Sequence, residues 1–365
     1  MSLINTLPDN AGILICGHGS RAKIAEEEFS LLAKGLRKRF PSTKVEYGFL
    51  EYSAPNIHMA LDKLIEQGVT KIHAVPGMLF AATHAKNDIP SVLTTYQEKH
   101  PNLSIEYGQE LGLQPSMIEA FQTRILESLG LTDTPETGAL YDTMLVVVGR
   151  GTSVVEANAE AAKLTRIVSE NLGFGWSETV YSGVTYPSVG RGLEMAAKLG
   201  FKKIVVAPYF LFGGKLIDRI YAYVDKVAAE IPSINFIKAD YLRDQNHVIN
   251  TFISRIEETI SIKPEQTSLN LMQDFKKRLE RGEIDIHHHH AEFKDTHTHD
   301  HDHSHSHEHT HSHAPYKHIG HPHGPRTMIN ENVCCCFMGQ FPQHIIDEEQ
   351  QNKKDVKQTP SCKKN

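Results

Sequence analysis

Short apolar runs alternate along this chain with longer stretches in which apolar residues recur every three or four positions. GILIC (12–16), VEYGFL (45–50), IHAVPGMLF (72–80) and LSIEYG (103–108) read as strands, with amphipathic helices AEEEFSLLAKGLRKRF (25–40) and NIHMALDKLIEQG (56–68) between them. The pattern then restarts, with MLVVVG (144–149), TVYSGV (179–184), KIVVAPYFLF (203–212) and INFIKA (234–239) as strands. Strand–helix alternation predicts parallel sheets covered by helices on both faces. Ligands of such sheets bind beyond the carboxyl ends of the strands.

The restart is a duplication. Gly17 and Gly19 recur 132 positions later as Gly149 and Gly151, Pro55 as Pro187, and Gly68 as Gly200. The same offset carries Lys71-Ile72 to Lys203-Ile204, Pro76 to Pro208 and Leu79-Phe80 to Leu211-Phe212. Beyond Phe80 the fixed offset finds no clear matches. The expected organisation is a first α/β domain over 1–135, a second over 136–262, and a tail over 263–365.

In the tail, QTSLNLMQDFKKRLERGEI (266–284) has the spacing of one amphipathic helix. Sixteen of the 23 histidines fall between His287 and His323, in a low-complexity segment expected to be disordered. The five cysteines are Cys16, a triplet at Cys334, Cys335 and Cys336, and Cys362, which suits a reducing cytoplasm better than a disulfide framework. The net charge of −6 carries no basic surplus, so nucleic acid is not an expected partner. The first residues, MSLINTLPDN, do not read as a leader, and no apolar run approaches the ~18–20 residues of a membrane helix.

Three loops follow the first strands: GHGSR (17–21), LEYSAP (50–55) and FAATHAKNDIP (80–90). Each places a side chain able to bind metal just past a strand end, namely His18, Glu51 and His84. Two imidazoles and a carboxylate suit a divalent ion such as cobalt, nickel or iron. Taken singly, a strand-end histidine is more often a hydrogen-bonded structural residue. The second copy serves as an internal control: Arg150 stands for His18, Gly183 for Glu51, and the counterpart of His84 falls near Leu216. The scaffold is repeated but the candidate ligands are not, which places the active centre in the first copy.

These three motifs, with FxxTHxxxDIP in the third, resemble the class II tetrapyrrole chelatases. With two repeats and a histidine-rich tract, the chain is most similar to the long-form sirohydrochlorin cobaltochelatases. The resemblance implies two tandem flavodoxin-like chelatase domains, and ATP-independent insertion of Co²⁺ into sirohydrochlorin for cobalamin synthesis. It implies that His18 and His84 bind the incoming metal, that His18 accepts a pyrrole proton, and that Glu51 assists delivery or deprotonation. Leu79, Phe80, Ala81, Ala82 and Thr83 would line the tetrapyrrole pocket. Ala54 stands where some relatives carry a second acid.

The macrocycle is rich in carboxylates, which makes Arg21, Lys86, Arg150, Lys215 and Arg219 candidate rim contacts. The same resemblance leaves open a sirohydrochlorin ferrochelatase or a nickel chelatase, and a metal donor or next pathway enzyme as partner. A metal-storage protein or metallochaperone would explain the tail but not the triad.

The alternating HxH tract specifies no single geometry, so it is expected to gather metal rather than insert it. Its removal should lower bound metal without lowering turnover at saturating metal. Some long-form relatives carry an iron–sulfur cluster near the C-terminus. Here the four tail thiols suffice in number, but the CxxC spacing is missing and adjacent cysteines match a cubane's corners poorly.

Overall fold

In the computed structural model, residues 7–261, 271–284 and 286 are described, together with 344, 345, 347, 348 and 351. The histidine tract and the tail cysteines lie outside the described residues.

Among the described residues, eight strands form two four-stranded parallel sheets. β1 (Ala11–Gly17), β2 (Lys44–Phe49), β3 (Lys71–Pro76) and β4 (Ser104–Tyr107) lie in the order β2-β1-β3-β4. β5 (Thr143–Gly149), β6 (Trp176–Tyr181), β7 (Lys203–Pro208) and β8 (Asn235–Lys238) repeat it as β6-β5-β7-β8. This is the flavodoxin-like strand order. The central strands β1 and β5 are buried along their whole length, which is why they read as unbroken apolar runs. The apolar stretches 72–80 and 203–212 are strands only as far as Pro76 and Pro208. Their second halves turn into the loops that close the core, where Leu79, Phe80 and Phe212 pack.

The duplication is visible in the register itself. Gly12 pairs with Lys44 and Met144 with Trp176; Ala11 pairs with Lys71 and Thr143 with Lys203. The helices α1 (Lys23–Arg39) and α2 (Ile57–Glu66) are matched at the same offset by α5 (Val155–Leu172) and α6 (Val189–Ala197).

The register then slips inside a helix. Thr83 opens the helix of the first copy and Lys215 opens α7 (Lys215–Glu230) in the second, 132 residues on. At the far end, α3 (Ile89–Lys99) stops at Lys99 and α7 at Glu230, 131 residues apart. The extra residue sits in a π turn, His84–Asp88, where the Ile89 N–H donates to the His84 carbonyl five residues back. Inserting one residue into an α-helix produces such a bulge. The counterpart of His84 is therefore Leu216 counted from the helix start and Lys215 counted from its end. After this point β4, β8, α4 (Pro115–Ser128) and α8 (Asn246–Ser261) follow the shorter offset, which is why fixed-offset matching fails beyond Phe80.

The two copies exchange their last helices. α4 packs on α5, β7 and α8, while α8 packs on α1, β3 and α4. One apolar core consequently runs through both copies, joining Phe29, Leu36, Phe49 and Phe121 to Val147, Tyr209, Leu211 and Phe252. Polar contacts pin the exchange: His73 on β3 faces Thr259 on α8 at 2.9 Å, and Arg124 on α4 donates to the Leu242 carbonyl at 3.0 Å. Glu28 on α1 is buried and accepts from the Gly213 N–H and the Tyr241 hydroxyl, each at 2.7 Å.

α9 (Leu271–Glu280) is the helix expected in the tail, and it belongs spatially to the first copy. Leu271, Met272, Phe275 and Ile284 are buried in the cluster that contains Leu14, Ile72, Ile89 and Leu93. Full burial of one such side chain contributes ~1.5–3 kcal/mol.

Candidate functional site

The strand ends of β1, β2 and β3 bring the three motif loops together. In GHGSR, Gly19 has φ 95°, and a Cβ there would lie 1.7 Å from the Glu51 carbonyl oxygen. Glycine is thus required for the His18 loop to pass against the Glu51 loop, and the Glu51 N–H donates to the His18 carbonyl at 2.9 Å. The second copy keeps this packing at Gly151, φ 82°, against Gly183. It also keeps the left-handed residue of the following loop, Tyr52 at φ 61° and Val184 at φ 68°.

His18 and His84 meet across the site. Their Nε2 atoms are 2.9 Å apart, with ring centroids 4.3 Å apart and planes at 77°. Each Nδ1 faces an acceptor: the Gly19 carbonyl at 2.9 Å for His18, and the Asp88 carboxylate at 2.7 Å for His84. Both contacts are satisfied by rings protonated on Nδ1, which leaves two Nε2 lone pairs converging on one point. One shared proton, or one divalent ion, satisfies both. At a metal–imidazole distance of ~2.0–2.1 Å, nitrogens 2.9 Å apart subtend about 90° at the ion.

His18 is held far below its ordinary pKa, at about 3. Burial is the main cause, followed by the nearby His84 and Arg150; the Gly19 carbonyl and Asp88 oppose them. It is therefore neutral near pH 7, the state in which imidazole binds metal. Arg150, the second copy's counterpart of His18, reaches the same site. It is exposed to solvent and interacts with Glu51 and Tyr52. Burial lowers its pKa, opposed by Glu51 and Tyr52.

Glu51 stands beside this pair rather than with it. Its Oε1 is buried without a hydrogen-bond partner. Among the described residues, no group of three or more His, Cys, Asp and Glu side chains is arranged to hold a metal ion. The structure pairs the two imidazoles, while Glu51 interacts with Arg150 and Tyr52. Tyr52 is half exposed, with its ring 6.3 Å from that of His18 and the Arg21 guanidinium 4.9 Å above it.

The remaining candidates divide. Leu79, Phe80, Ala81, Ala82 and Thr83 are all half-buried, with Phe80 turned towards Tyr209 of the second copy at 5.6 Å. Arg219 donates to the Ser182 carbonyl at 2.9 Å, Lys215 is exposed at the start of α7, and the Lys86 carbonyl accepts from Arg278. Cys16 is fully buried and its thiol pKa is pushed up, which removes it as a nucleophile. Asp88 was legible as an acid four residues after His84, but its role was not: orienting His84 requires the helix that places one over the other. Arg278 carried no sequence signal at all.

The CbiX family model matches residues 12–128 and again residues 144–259. A sirohydrochlorin cobaltochelatase from Priestia megaterium is 35% identical over 230 residues, covering 63% of this chain and 73% of that protein. A sirohydrochlorin ferrochelatase from the same organism is 28% identical over 257 residues, covering 70% and 93%. Among solved structures, SirB from Bacillus subtilis with Fe³⁺ superposes with a TM-score of 0.60 at 27% identity, covering 69% of this chain and 96% of that one. With the unit matched twice over most of the described residues, the chain belongs to the CbiX family.

Proposed function

We propose that this protein inserts a divalent metal into sirohydrochlorin, with Co²⁺ as the ion and cobalamin synthesis as the setting. The observation that carries the reading is the pair of Nε2 atoms converging beyond the strand ends, each ring oriented by its own Nδ1 partner. Two neutral imidazoles capture a divalent ion and, being few, release it to a better chelator. Holding the ion against the macrocycle replaces a bimolecular encounter with an oriented transfer. Two pyrrole protons must leave as the metal enters. We assign His18, which is neutral near pH 7, to the metal, and give proton acceptance to Glu51, whose buried Oε1 lacks a partner. Arg150 and Arg21, at the cleft, meet the macrocycle's carboxylates.

Iron is the second reading, favoured by the ferrochelatase relative and by the neighbouring structure's Fe³⁺. The test is to offer sirohydrochlorin with Co²⁺, Fe²⁺ or Ni²⁺ and follow the absorbance change. Fastest insertion of Co²⁺ is expected. Faster insertion of Fe²⁺ would move the protein to sirohaem synthesis, and no insertion of any ion would sink the chelatase reading.

A further inference from the structure

The π turn carries His84 and Asp88, and it is gripped from outside the sheet. Arg278 on α9 donates from Nη2 to the Lys86 carbonyl at 2.8 Å, and from Nη1 to the Asn87 side-chain oxygen at 2.6 Å. Its Nε is held by Asp274 at 2.8 Å, so the guanidinium is fixed from both sides. Beneath it Phe275 is fully buried, and the Thr94 hydroxyl of α3 meets the Met272 sulfur at 3.7 Å. The second copy's α7 is a regular helix with no π turn, and among the described residues it has no counterpart of α9. One bulge is matched by one clamp.

We propose that Arg278 is a positioning residue for metal insertion: it clamps the Lys86–Asn87 edge of the π turn and thereby sets His84 against His18. This rests on the reading of that pair as the metal ligands. A bulged turn is softer than a regular helix, and small misplacements of reacting groups are costly to rate. Arginine is the residue suited to the task, because its planar fork reaches three acceptors at once, whereas a lysine ammonium cannot span them. The same segment reaches Ile286, half-buried against the first copy's core, one residue before the histidine run begins.

The test compares the full chain with Arg278→Met and Arg278→Lys variants by two measurements. Hydrogen exchange over residues 84–91 reads the turn, and steady-state insertion with metal and sirohydrochlorin varied separately reads the site. For Arg278→Met, exchange should rise about tenfold and the KM for metal about tenfold, as for loss of a ligand-orienting contact, with the KM for sirohydrochlorin changed less than about twofold. Arg278→Lys should recover part of both effects. Unchanged exchange, an unchanged metal KM, or equal rises in both KM values would overturn the proposal. If Arg278→Met does not fold, Arg278→Lys decides by the same criteria at smaller amplitude. If the wild-type chain inserts no ion, the chelatase reading fails; unchanged exchange would then overturn the clamp and faster exchange would support it.

Discussion

The two copies share a strand order, a strand register and a glycine turn that no other residue fits, yet they present different chemistry at the same strand ends. In the first copy β1 leads to His18, oriented by the Gly19 carbonyl; in the second β5 leads to Arg150, a cation that acts on His18 and Glu51. The first copy's helix contains a one-residue bulge that holds His84 over Asp88; the second runs straight from Lys215. Backbone geometry is inherited as a unit because strand pairing and loop packing constrain many atoms at once. A side chain beyond a strand end is bound to few neighbours and can change alone. Duplication has therefore produced two halves that share one core and differ in the side chains at their strand ends.

The comparison breaks most visibly at the imidazoles. His18→Ala or His84→Ala should each reduce metal insertion by about 100-fold or more while leaving the melting temperature within a few degrees; near-wild-type insertion by either would refute the assignment. Next comes Asp88→Asn, which keeps the shape but removes the carboxylate holding His84 Nδ1–H. Insertion should fall about 10–100-fold, measured as kcat/KM for the metal.

A matched pair of backbone variants sharpens the division between scaffold and site. Gly19→Ala and Gly151→Ala place a Cβ 1.7 Å and 1.9 Å from a carbonyl oxygen at positive φ. Each should cost about 2 kcal/mol or more in denaturant unfolding. Only Gly19→Ala should also lower insertion by the protein that remains folded.

The smallest effect is expected from Arg150→Met. Arg150, with His84, makes His18 harder to protonate, whereas Asp88 and the Gly19 carbonyl make it easier. Removing the cation raises the His18 pKa, so protonation competes with metal at higher pH. The acid limb of the pH–rate profile should move upward, and an unmoved or downward-shifted limb would show that Arg150 does not act on His18. The sign for stability follows from the same depression. With a folded pKa of about 3 against about 6.5 when unfolded, neutral His18 favours the folded state above that window, and this contribution is lost as pH falls from about 6.5 towards 3.

Much of this was legible from the chain itself. Full burial of β1 and β5 forces continuous apolar runs, so strands, parallel sheets and the duplication all show as pattern. Gly19 and Gly151 show because a steric requirement fixes the residue type. His18, His84 and Glu51 stood out because their equivalents had changed in a repeat whose frame had not. What residue type could not give is the contact between His18 and His84, whose Nε2 atoms meet at 2.9 Å. Residue type and strand-end position cannot give the direction of a side chain.

Local order along the chain determined which elements form, since hydrophobic periodicity and glycine sterics act over a few residues. Tertiary structure alone decided that α4 and α8 change places, that Arg150 of one copy sits beside His18 of the other, and that α9 returns to grip the π turn. Those contacts join residues far apart in the chain, His18 and Arg150 by 132 positions and Lys86 and Arg278 by 192, and they are chosen by the packing of a common core. No short pattern encodes that choice, because the fit is a property of surfaces that exist only once the sheets have formed.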